Sequence, residues 1–79
     1  MTSEIRQQIK DFIQSEFAAK DQKVTDDDEL LLSGTIDSMG VMRLVGFVEK
    51  VAALKIPPEH ITIEHFSSIN TIMEYVQSR

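Results

Sequence analysis

Residues 34–40, Gly34-Thr35-Ile36-Asp37-Ser38-Met39-Gly40, place a serine between an acidic stretch and a strongly apolar run. If Ser38 opens a helix, the first amides there lack internal partners and the helix dipole is positive. A phosphate esterified to the Ser38 hydroxyl would then sit in a favourable field. Asp and Ser are also the commonest helix caps, which is the plainer use of the pair. Hydrolytic chemistry fits poorly. A triad needs a histidine base and an oxyanion hole in a cleft, whereas His60 and His65 stand near the far end of a small chain.

The elements that must position this stretch follow from periodicity. Ile5, Ile9, Phe12, Ile13 and Phe17 recur at helical spacing, with Arg6, Gln7, Lys10, Asp11 and Gln14 on the other face. The spacing predicts a first helix from about Ser3 to Phe17 or Ala18, capped by Thr2 or Ser3. From Ala19 to Asp37 the stripe disappears, and a connection of that length is usually functional or packed on the core through its own apolar residues. Leu30, Leu32 and Ile36 are its expected anchors.

Ser38 to Ala53 reads as the central helix, apolar around most of its circumference. Met42, Val45, Val48 and Ala52, with Leu44 beside them, can face the core, but Met39, Val41 and Phe47 cannot all be buried with them. Surface apolar groups beside a reactive serine suggest a docking face. For Phe47 the alternative is packing against the acidic loop. Pro57 and Pro58 end this helix. A short third helix is expected over Glu59 to His65, with Ile61 and Phe66 turned inward. Ser67 or Ser68 then caps a fourth, in which Ile69, Ile72, Met73 and Val76 form the stripe up to Gln77. The predicted fold is all-α, three principal helices and one short helix in a single domain over residues 1–79. Ile9, Phe12, Val45, Val48, Ile61, Phe66 and Ile72 are its expected core.

Composition narrows the partners. Thirteen acidic against eight basic residues give a net charge of −5 over 79 residues, which opposes phosphate backbones and anionic lipids, so neither nucleic acid nor membrane is an expected partner. No stretch has membrane-spanning length, the start lacks the pattern of a signal peptide, and a cytoplasmic monomer is the expectation. The absence of cysteine leaves no thiol and no disulfide, so any thiol chemistry must be imported. Asp26-Asp27-Asp28 invites a calcium reading, but an EF-hand loop begun at Asp26 would have Leu30 and Leu31 at its fifth and sixth positions. A solvated, capping acidic run is the better reading.

Taken together, the acidic Leu-containing loop, Gly34 to Met39, the apolar helix, Ile56-Pro57-Pro58-Glu59-His60-Ile61, Phe66 and a last amphipathic helix resemble the acyl carrier protein family, which includes aminoacyl and peptidyl carriers. The resemblance covers essentially the whole chain. It implies a four-helix carrier fold and no catalytic activity. It also implies that Ser38 receives 4′-phosphopantetheine from coenzyme A through a phosphopantetheinyl transferase, with Asp37 helping to position the magnesium used only during transfer. The arm would supply the missing thiol and hold an acyl group as a thioester for partner enzymes, raising its effective concentration there.

The sequence also departs from the family's fatty-acid-synthesis members, whose corresponding helix is acidic. Here the stretch from Ser38 to Lys55 holds Arg43, Lys50 and Lys55 against Glu49 alone, a local balance of +2. Gly40 replaces an acidic or polar residue, and Ala53-Leu54-Lys55 replaces the usual Phe-Gly. These features point to a specialised free-standing carrier served by an acyl- or aminoacyl-activating ligase, with Met39, Val41, Arg43 and Phe47 as docking residues. The rivals are an aminoacyl or peptidyl carrier and, from another class, a helical interaction module without a prosthetic group.

Overall fold

The computed structural model describes residues 2–18 and 21–78, and among these it is helical, with no strand. Helix α1 spans Thr2–Glu16. It turns Ile9 and Ile13, both fully buried, into the core, with Ile5 and Phe12 packed beside them. The amides of Phe17 and Ala18 both return to the Ile13 carbonyl, at 2.9 and 3.2 Å, which tightens the end of the helix. Ser3 lies inside the first turn and not ahead of it, because the helix already includes Thr2. The Thr2 side chain, and Ala19 and Lys20 at the expected start of the loop, lie outside the described residues.

The connection to the second helix packs on the core, but not through all three expected anchors. Leu30 and Ile36 are buried together with Val24, whereas Leu32 is 76 % exposed. The reason is a turn at 31–34, where Gly34 adopts φ 84° and its amide donates to the Leu31 carbonyl. This reversal carries Leu32 outward and brings Ile36 back, so that the Ile36 amide donates to the Leu30 carbonyl at 3.0 Å. The Val24 amide donates to Gln14 Oε1 at 2.9 Å and the Leu30 amide to the Ser67 carbonyl at 2.7 Å, which fastens the loop at two separate points.

Helix α2 spans Ser38–Ala52 and is closed by Ala53 in the left-handed conformation, φ 54°. Its inward face is Leu44, Val45 and Val48, with Gly40 also buried. Met42, assigned to that face by its spacing, is instead 59 % exposed. A helix apolar all round carries no single stripe, and here the core contacts its Leu44 side.

Beyond Ala53, the Ile56 amide donates to Glu49 Oε2 at 2.8 Å, and Ile56 is buried. The expected helix over Glu59 to His65 is two pieces, a 3₁₀ turn at Pro58–His60 and a single α turn, α3, at Ile63–Phe66. Ile61 interrupts them at φ −84°, ψ 83°, and Thr62 restarts the helix by accepting from the His65 amide. Phe66 is fully buried and Ile61 half-buried. Helix α4, Ile69–Gln77, opens on a reciprocal capping box between Ser68 and Thr71. It buries Ile69, Ile72, Met73 and Tyr75, while Val76 is half-buried. Packing of α1 against both α2 and α4, and of α3 against α4, completes an acyl-carrier-like bundle.

Candidate functional site

Ser38 is the first residue of α2 and is exposed. Asp37 precedes it in extended conformation, φ −90° and ψ −178°, and accepts the Gly40 amide on Oδ1 at 2.7 Å. The Asp37 carbonyl accepts the Val41 amide at 2.9 Å, the first bond of the helix. Among the described residues nothing accepts from the amides of Ser38 and Met39. The corner therefore presents a serine hydroxyl, two open amides at a helix N-terminus and an exposed carboxylate, all within three consecutive residues.

A groove of about 420 Å³ opens beside Ser38. Its walls are Leu31 and Ile36 from the loop, Asp37, Ser38, Val41 and Met42 from α2 and the residue before it, and Ile61, Thr62 and Ile63 from the segment entering α3. Six of these nine side chains are apolar, and Ile63 and Met42 are exposed to solvent. The sequence reading missed this pocket because its far wall comes from the stretch where the short helix breaks.

The four residues expected to dock a partner differ in their surroundings. Met39 is 80 % exposed and Val41 lines the groove. Phe47 is half-buried and its ring stacks on Phe12 of α1, a contact the sequence reading did not foresee. Arg43 is exposed but engaged. Its guanidinium pairs with Glu16 and lies 5.5 Å over the Phe17 ring, so α1 already answers its charge.

The acidic run is only partly solvated. Asp26 Oδ2 accepts from Arg6 Nη1 at 2.8 Å, and Lys10 Nζ stands 3.2 Å from Oδ1. Arg6 also donates to Asn70 Oδ1 at 2.6 Å, the Asn70 amide donates to the Asp26 carbonyl at 3.1 Å, and Asn70 Nδ2 donates to Asp27 Oδ1. The run thus ties the loop to α1 and α4. Burial raises the pKa of the Asp26 carboxyl, but hydrogen bonds and charge from Lys10 and Arg6 outweigh it and hold the group below its ordinary value. Asp28 is also lowered, chiefly by the Thr25 backbone amide that it accepts.

A small helical bundle with an exposed serine opening a helix beside an apolar groove has the layout of a carrier domain. A family model described as a phosphopantetheine attachment site matches residues 7–76. The chain belongs to this family, and is a carrier protein of the kind to which 4′-phosphopantetheine is covalently attached. Such carriers work with a phosphopantetheinyl transferase and with biosynthetic enzymes. Among curated proteins, none matches the chain. No helix of the described residues is long and apolar enough to cross a membrane.

Proposed function

We propose that Ser38 is the attachment point and that the protein carries an acyl chain as a thioester, acting as a carrier and not as a catalyst. The observation that carries this reading is the exposed Ser38 hydroxyl at the first position of α2, with an apolar groove opening beside it. In loading, the hydroxyl gives up its proton and Oγ forms a phosphoester, while the pyrophosphate bond of coenzyme A breaks and the nucleotide half leaves. The open Ser38 and Met39 amides would face the phosphate. Asp37, its Oδ1 held by the Gly40 amide, would offer its remaining oxygen to the magnesium of the transferase complex. When bound, the arm supplies the thiol that the sequence lacks.

The groove supports an acyl cargo over an aminoacyl one, because a charged ammonium gains nothing from walls of Leu31, Ile36, Val41 and Ile61. The proposed partners are an acyl-activating ligase and acyl-processing enzymes of a specialised pathway. Incubation with coenzyme A, magnesium and a broad-specificity transferase should add one phosphopantetheine by intact mass. Ser38→Ala should abolish the addition and Ser33→Ala should leave it unchanged; addition to the Ser38→Ala protein would defeat the assignment. A medium-chain acyl group on the holo-protein should hydrolyse more slowly than the same group on free pantetheine, while an aminoacyl group should hydrolyse alike on the protein and on free pantetheine. Equal rates for the acyl pair would favour the aminoacyl reading.

A further inference from the structure

We propose that Gly40 is a positioning residue for the loading of Ser38, its missing side chain leaving room for the Phe17 ring; this rests on the reading of Ser38 as the attachment point. Helix propensity alone favours alanine over glycine inside a helix, so the glycine needs another reason. A Cβ built on Gly40 would lie 2.8 Å from Phe17 Cε1, closer than real Cβ atoms come to other atoms. It would also lie 3.1 Å from Asp37 Oδ1 and 3.1 Å from Ile36 Cγ2.

The half-buried Phe17 ring is held by its neighbours. It meets Phe12 edge-on at 5.8 Å, the Arg43 guanidinium covers it, and its backbone amide is tied to the Ile13 carbonyl. A side chain at position 40 would therefore displace the first turn of α2, which carries Ser38 and holds Asp37 through the Gly40 amide. With no side chain there, the end of α1 rests directly against the start of α2. Glycine at this position lets the two elements approach without disturbing Asp37, which the Gly40 amide holds, or Ser38 beside it. Neither Gly40 nor Phe17 need touch coenzyme A or the transferase for this effect.

The test is transfer kinetics on four apo-proteins: unmodified, Gly40→Ala, Phe17→Leu and the double variant. Loading is read by intact mass, and the folded fraction by circular dichroism. A displaced corner should cost about tenfold or more in kcat for Gly40→Ala, with KM little changed. Phe17→Leu, which loses aromatic contacts but leaves Asp37 seated, should load at nearly the unmodified rate. The double variant should recover most of the loss, because leucine does not reach as far as the ring edge. Hydrogen exchange gives a readout independent of loading: protection of the amide at position 40 should be lost in Gly40→Ala and regained in the double variant.

Normal loading by Gly40→Ala overturns the proposal, and so does an order of rates that follows melting temperature across the four proteins. If Gly40→Ala does not fold, the double variant decides. Near-normal loading by it supports the proposal and slow loading overturns it. Failure of the unmodified protein to load, or its loading elsewhere than Ser38, defeats the attachment reading itself.

Discussion

The rings of Phe12 and Phe47 lie 4.2 Å apart and within 12° of parallel, so an aromatic stack joins α1 to α2 alongside their aliphatic core. Phe47→Ala should therefore act on stability and not on docking. Since both rings are only half-buried, a loss of about 2 kcal/mol is expected, below the range for a fully buried phenylalanine. Thermal melts should show the loss, and phosphopantetheine transfer to the folded protein should proceed at the unmodified rate.

Asp37 combines two roles that substitution can separate. Asp37→Asn keeps a side-chain oxygen for the Gly40 amide while removing the charge proposed to meet magnesium. It should melt near the unmodified protein and load far more slowly. Asp37→Ala loses the cap as well, at a cost of about 1 kcal/mol. Melting curves beside loading rates check both outcomes, and equal loading by Asp37→Asn would remove the metal role.

Acid should loosen the bundle at the Asp26 network. The Asp26 pKa is lower in the folded protein than in the unfolded chain, so its stabilisation is present above the unfolded carboxylate value of about 3.9 and is lost as pH falls through the folded value. Asp26→Asn should lower the melting temperature at neutral pH, by an amount equivalent to about 1 kcal/mol for a partly exposed ion-pair network. The two proteins should converge in acid. Melts from pH 7 down to about 2.5 test this, and a constant gap across that range would contradict it.

Two residues of α2 and its cap oppose local preference, and exchanging them should stabilise the fold. Gly46 is exposed in the helix interior with nothing within 4 Å of a Cβ, so Gly46→Ala should gain about 1 kcal/mol. Ala53 holds φ 54°, where a Cβ is strained, so Ala53→Gly should gain roughly 0.5 to 1 kcal/mol. Denaturant midpoints of the singles and the pair should shift upward, and additively, because the residues share no contact.

What could be read from the sequence was what short-range spacing encodes. Ile9 and Ile13 declare the inner face of α1, the Ser67-Ser68 pair announces α4, and Asp37-Ser38 announces the start of α2, because each signal lies within one or two turns of its effect. Val24 and Tyr75 were missed for the opposite reason. Val24 has no periodic neighbours and is buried by the path of the loop, while Tyr75 is accommodated by His60 Nδ1, 2.7 Å from its hydroxyl. In α2, apolar on every side, spacing put Met42 on the core face with Leu44 beside it, and only Leu44 is buried there. The charge of Arg43 was legible, but its partner Glu16 belongs to another helix, so its engagement was not. Two prolines correctly marked the end of α2, yet the break at Ile61 depends on a backbone turn that no residue type there demands.

The far wall of the groove, Ile61 to Ile63, is built like a door hung on the last helix. Its own helix, α3, has a single turn and little cooperative strength. It is backed by the buried Phe66 ring and the His60–Tyr75 bond to α4. The width of the groove is therefore set in part by side-chain packing near the C-terminal end of the bundle.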